Sequence, residues 1–136
     1  MSAEAFFDTN VVVYAFIEND ARSAVADRLL SAGGVISVQV LNEFINVALR
    51  KHALPWADIR ESLASIRALC GAPRPLTAAI HDAGVAIAER YHYRIYDALI
   101  IAAAVDAGCR KLYSEDLAAD QTIRGVRIVN PFARGE

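Results

Sequence analysis

The sequence predicts an α/β domain on a short, mostly parallel sheet, and three observations predict it. Brief apolar runs at residues 3–7, 35–36, 111–114 and 126–129 read as strands. Longer segments with helical periodicity separate them, as expected when parallel strands are joined by crossover helices on both faces of a sheet. The 136 residues are 55% hydrophobic and carry no repeat or Gly/Ser linker, which suits one domain over residues 1–136 with its own core. Strands this short limit the sheet to four or five members.

The first strand runs into Asp8-Thr9-Asn10, a polar cap for a short helix over 11–16. Residues 21–32 are rich in Ala and Leu, repeat at Ala21, Val25 and Leu29, and stop at Gly33-Gly34. Val35-Ile36 forms a brief buried strand, and Ser37 caps a helix reaching to about His52. Pro55 sits where another helix starts, with Trp56, Ile59, Leu63, Ile66 and Cys70 on one face and Arg60 and Arg67 off it. A break with two prolines follows at 71–75. Thr77 opens the next helix, whose buried face holds Ile80, Ala83, Gly84, Ile87 and Tyr91. A further helix spans 96–107 and ends at Gly108; strands at 111–114 and 126–129 complete the chain.

A formal net charge of −2 opposes a protein that coats duplex DNA through a generic basic surface. It leaves room for a nuclease, because bound divalent cations supply positive charge locally. Cys70 and Cys109 are too far apart for a metal knuckle or redox pair and read as core residues. His52, His81 and His92 have no zinc-ligand spacing. The N-terminus lacks the basic start of a signal peptide, and the apolar run 98–105 is far short of the roughly 20 residues of a membrane span. The expectation is a soluble cytoplasmic protein with no membrane partner.

Most acids read as solvated, including Asp20, Asp27, Asp58, Glu61, Glu89 and Asp106. Four have a second reading. Asp8 ends an apolar strand, at the sheet edge where α/β proteins bind ligands. It is a cap or turn residue otherwise, although Thr9 or Asn10 could cap in its place. Glu43 shares a stripe with Val40, Phe44 and Val47, with Asn42, Asn46 and Arg50 on the opposite face. A carboxylate on that stripe needs an ion partner, a metal or a route to solvent. Asp97 opens the most apolar helix, in phase with Ile100, Ile101 and Ala104, or answers the helix dipole. Asp116 follows a strand end and is otherwise a loop acid. A parallel sheet can bring all four to one edge. Clustered carboxylates repel one another unless cations neutralise them, and all-oxygen donors select Mg²⁺ or Mn²⁺.

With those residues placed, the chain resembles the PIN-domain family, in particular its VapC-type toxins of toxin–antitoxin pairs. The resemblance rests on Phe7-Asp8-Thr9-Asn10, Asn42-Glu43-Phe44, Tyr96-Asp97-Ala98-Leu99-Ile100 and Ser114-Glu115-Asp116-Leu117, in that order, and on the ending over 126–132. It implies a PIN-like three-layer α/β/α fold, a Mg²⁺ or Mn²⁺ cofactor, and endoribonuclease activity on structured RNA such as tRNA or rRNA. It also implies homodimers and a cognate antitoxin that inserts a segment near the active site. By position, the resemblance makes Asp8, Glu43, Asp97 and Asp116 catalytic, with Asp8, Asp97 and Asp116 on the metal and Glu43 binding it directly or through water. Asn10 and Ser114 would orient the carboxylates or the attacking water, and hydrolysis would leave a 5′-phosphate and a 3′-hydroxyl. Asp120 falls where relatives carry a further acid, so the metal contact among Glu115, Asp116 and Asp120 stays open. Arg94, Arg110 and Lys111 are candidates for the RNA backbone.

Other readings fit less of the chain. Haloacid-dehalogenase-like phosphatases need a second aspartate where Asn10 stands. A response-regulator receiver needs an acidic pair after strand one and a late lysine. A PIN-like binding module without turnover would not need all four acids. A PIN nuclease that processes RNA without an antitoxin shares every motif.

Overall fold

The computed structural model describes residues 5–133; the first two residues of the expected opening strand, Ala3 and Glu4, lie outside them. The elements run β1 (Ala5–Phe7), α1 (Thr9–Phe16), α2 (Ala21–Ser31), α3 (Val38–Arg50), α4 (Trp56–Cys70), α5 (Ala78–Tyr91), α6 (Ile95–Asp106), β2 (Lys111–Tyr113), β3 (Thr122–Ile123) and β4 (Val126–Val129). The sheet order is β1-β2-β4-β3. β1, β2 and β4 are parallel, with Phe6 opposite Leu112 and Leu112 opposite Ile128. The fold is the expected PIN-like α/β/α arrangement, with an open, mostly parallel sheet of four strands and six helices among the described residues.

The sequence readings differ from the structure in small, explicable ways. Residues 35–36 do not form a full strand; Val35 makes one parallel bridge to Phe6 on the free side of β1. Ser37 makes another to Arg74, so isolated bridges extend the sheet beyond β1. β3 was not expected. It is two residues long and pairs antiparallel with β4 through the two-residue turn Arg124-Gly125, with φ of 49° and 88°. Such turns usually carry Asn-Gly or Asp-Gly, and arginine in the first position conceals the signal.

The core is continuous. Phe6 and Leu112 from the sheet are fully buried with Val11 and Val12 of α1, Phe44 of α3, and Ile100 and Ile101 of α6. Every residue of α6 from Ala98 to Ala104 is buried, so this helix is apolar on all sides. α5 packs along it at Gly84, where an added Cβ would stand 2.7 Å from Leu99 Cδ2. These constraints fix α6 against the sheet, and they bring Asp97 at its start close enough to Asp8 to act on its carboxyl.

Candidate active site

β1 ends at Phe7, and the chain turns at once into α1. Asp8 makes that turn and is the N-cap of α1, so it does cap the helix although Thr9 and Asn10 were available. Its Oδ1 accepts from the Thr9 backbone N–H at 2.7 Å, and its Oδ2 accepts from Ser114 Oγ at 2.7 Å and Asn10 Nδ2 at 3.4 Å. Asp8 is 4% exposed. Burial pushes its carboxyl up to about 7, the Ser114 and Thr9 donors oppose the rise, and the Glu43 and Asp97 carboxylates add to it. Asp8, Glu43 and Asp97 therefore share one electrostatic neighbourhood.

Ser114, the residue after β2, is fully buried and joins two parts of the site. Its hydroxyl donates to Asp8 and accepts from the backbone N–H groups of Asp116 and Leu117, both at 3.2 Å. Asn10 reaches the same loop. Its Nδ2 donates to Asp116 Oδ2 at 3.2 Å, and its Oδ1 accepts from the Glu115 N–H at 3.2 Å. Asp8 and Asp116 are thus tied together through one hydroxyl and one carboxamide.

Glu43 is half-buried on α3. Gln39, one turn earlier, donates to its Oε2 at 2.9 Å, and Thr9 Oγ1 donates to its Oε1 at 3.1 Å. Asp97 is also half-buried and has a long contact, 3.5 Å, to Arg94 Nε. An open cavity of about 720 Å³ lies over this edge, with Thr9, Asn10, Glu43 and Asp116 in its wall. Asn42 and Asn46 also line it, so they flank Glu43 on one side of α3 and do not face away from it. Lys51 and Arg94 are the cations in its wall.

Not all the sequence candidates gather here. Asp120 is exposed and bound to Arg127 at 2.6 Å, and it does not line the cavity. Glu115, earlier in the same loop, does line the cavity, but its carboxylate accepts from Tyr14 and Arg22. Arg110 and Lys111 stand at the start of β2, whereas Asp8 and Ser114 follow the ends of β1 and β2. Of the three basic candidates, only Arg94 borders the cavity. Thr9, Gln39, Lys51, Tyr14 and Arg22 were missed. The i, i+4 spacing of Gln39 and Glu43 was the one visible signal among them.

The donor chemistry suits a hard divalent cation: the groups are all oxygen, and the Glu43 and Asp97 carboxylates add to the burial that raises the Asp8 carboxyl. Among the described residues, no three His, Cys, Asp or Glu side chains converge closely enough to enclose an ion. The acids fit such an ion in kind, without a closed ligand set.

Comparison with known proteins bears on the same framework. No curated protein matches the chain. Several solved structures resemble it in fold, three of them as follows. A toxin–antitoxin complex from Klebsiella pneumoniae has a TM-score of 0.70 at 22% identity, over 94% of this chain and 98% of that one. FitAcB from Neisseria gonorrhoeae has a TM-score of 0.66 at 23% identity, again over 94% and 98%. VapC20 of Mycobacterium tuberculosis, a sarcin–ricin loop cleaving toxin, has a TM-score of 0.64 at 23% identity, over 82% and 91%. The family model described as the PIN domain matches residues 5–124, from β1 through β3, and so takes in every acid at this sheet edge: the chain belongs to the PIN-domain family.

Proposed function

We propose that this chain is a Mg²⁺- or Mn²⁺-dependent endoribonuclease and the toxin of a toxin–antitoxin pair. The observation that carries the reading is the buried Asp8 carboxylate, held by Ser114 and Asn10, with Glu43 and Asp97 near enough to raise it and with Glu43 and Asp116 in the wall of an open cavity. Asp8, Asp97 and Asp116 would hold the ion, with Glu43 contributing directly or through water. When bound, the ion supplies Lewis-acid polarisation of the scissile phosphate and makes water a stronger nucleophile.

The chain's own residues do the remaining work. Ser114 and the Thr9 N–H fix the Asp8 rotamer, so the carboxylate does not have to be ordered during reaction. Gln39 and Thr9 hold Glu43 toward the cavity, where it can accept a proton from water attacking phosphorus. Asn10 keeps Asp116 on the same wall. Arg94 and Lys51 border the cavity and provide cations for an RNA backbone that the net charge of −2 would otherwise repel. Arg110 and Lys111 are too far along β2 to serve the cleavage site and would at most guide RNA at a distance.

The toxin reading draws on fold relatives that include a toxin–antitoxin complex and a toxin that cleaves the sarcin–ricin loop. By the same likeness, the partners would be structured RNA, a second copy of the chain and an antitoxin protein in the cytoplasm. The test is RNA cleavage by purified protein with Mg²⁺ or Mn²⁺. Cleavage should stop with EDTA and in Asp8→Asn, and activity that survives both would sink the reading. Growth arrest on expression, relieved by co-expressing a neighbouring antitoxin, separates a toxin from an RNA-processing PIN nuclease.

A further inference from the structure

The cavity wall holds two carboxylates that the proposed site does not use: Glu18, which pairs with Lys51 at 3.3 Å, and Glu115. Glu115 lies beside Asp116 and lines the same cavity. Both its oxygens are taken: Tyr14 donates to Oε1 at 2.5 Å, and Arg22 donates to Oε2 at 3.0 Å. The Arg22 guanidinium also lies 4.4 Å from the centre of the Tyr14 ring and pairs with Asp20 at 2.9 Å. The ring of Tyr14 meets Phe132 edge-on at 5.0 Å. Two helices therefore converge on one glutamate, and the C-terminal segment packs against the tyrosine that holds it.

These contacts are not needed to anchor the loop. Ser114 already accepts from the Asp116 and Leu117 N–H groups, and Asn10 accepts from the Glu115 N–H. What Tyr14 and Arg22 add is control over the Glu115 side chain. Among the described residues the Asp116 carboxylate, by contrast, accepts only from Asn10 Nδ2, a neutral donor that leaves its other oxygen available.

We infer that Arg22 and Tyr14 are positioning residues that withhold Glu115 from the metal, leaving Asp116 as the carboxylate this loop presents. A free Glu115 would enter the cluster as a competing ligand. It would hold the ion more tightly and take up coordination that the phosphate and water need. Tyr14 suits the task because burial and the adjacent Glu115 raise its pKa, keeping the hydroxyl a donor. Arg22 suits it because its charge is permanent.

The inference rests on the metal-dependent reading above, and the test separates the two. Mn²⁺ binding to the purified chain is titrated by the loss of the free Mn²⁺ spin-resonance signal, alongside RNA cleavage and thermal melting. Arg22→Ala and Tyr14→Phe should bind Mn²⁺ more tightly than wild type and cut with kcat lowered about ten-fold, on the scale of changes outside a metal's own ligands. Arg22→Ala/Glu115→Gln should return both readings to wild type, and Glu115→Gln alone should leave them unchanged. A clamp that merely braces the fold gives a different pattern: Arg22→Ala would lower the melting temperature without tightening Mn²⁺, and the double variant would stay slow. Either result overturns the inference. Wild type that binds Mn²⁺ without cutting RNA removes the nuclease reading, while the Mn²⁺ titrations still decide the clamp. Wild type that binds no Mn²⁺ removes both.

Discussion

Ser114 Oγ donates to Asp8 Oδ2 at 2.7 Å, joining two residues 106 positions apart at the adjacent ends of β1 and β2. The parallel register makes this possible, because Phe7 and Tyr113 are partners and the next residues leave the sheet side by side. The same oxygen of Ser114 accepts from Asp116 and Leu117. One hydroxyl therefore sets both the rotamer of the buried acid and the path of the loop carrying the exposed one.

Ser114→Ala removes that link from both sides. It takes a donor from a buried carboxylate and an acceptor from two loop N–H groups, which should cost about 2 kcal/mol of stability. Activity should fall by about ten-fold or more if Asp8 rotation matters, since Asp8 would keep only Thr9 and the long Asn10 contact. Urea unfolding and single-turnover RNA cleavage measure the two effects. Unchanged cleavage in a destabilised variant would show that Ser114 serves the fold alone.

Asp8 should make stability depend on pH in the absence of divalent cations. Its carboxyl is raised from 3.8 to about 7 in the folded chain, chiefly by burial. Between those values the folded state binds more protons than the unfolded state, so stability is greatest below pH 4 for this group and falls as pH rises toward 7. The shift corresponds to roughly 4 kcal/mol at most. In EDTA, Asp8→Asn should therefore be more stable than wild type at pH 8, with the advantage shrinking toward pH 4. Mg²⁺ or Mn²⁺ should recover stability in wild type and much less in the variant. Parallel unfolding curves for the two proteins across pH 4–8 would refute the buried-charge account.

Much of this architecture was legible because periodicity and caps report local preference. Ser37 and Thr77 cap the helices they were expected to cap, accepting from Val40 and Ile80. The apolar helix beginning near Tyr96 starts one residue earlier, at Ile95. The four acids stood out because each sat where a solvated role was awkward. What stayed hidden depends on tertiary partners. Nothing in the sequence says that Tyr14 and Arg22 hold Glu115, or that Arg127 occupies Asp120. A lone apolar stripe also misplaces its neighbours: Asn42 and Asn46 flank Glu43 because the cavity wall is wider than the stripe.

Asp116 and Asp120 should behave differently, although the sequence puts both in one acidic loop. Asp116 touches Asn10 and borders the cavity, whereas Asp120 is exposed on Arg127. Asp116→Asn should lower cleavage at least about ten-fold and weaken Mn²⁺ binding. Asp120→Asn should change neither, because an exposed ion pair contributes little. Equal losses would place Asp120 in the site and require the loop to rearrange.

The β3–β4 turn offers a gain in stability away from the cavity. Arg124 is held at φ 49° ahead of Gly125 at φ 88°. A side chain at positive φ crowds the backbone, and asparagine tolerates that conformation better than arginine. Arg124 is exposed, so its replacement removes no core packing. Arg124→Asn should therefore stabilise the chain by up to about 1 kcal/mol. The effect should be seen as a higher melting temperature with unchanged RNA cleavage, since the turn is not part of the cavity wall. A lower melting temperature would mean that the arginine makes a contact worth more than the strain it carries.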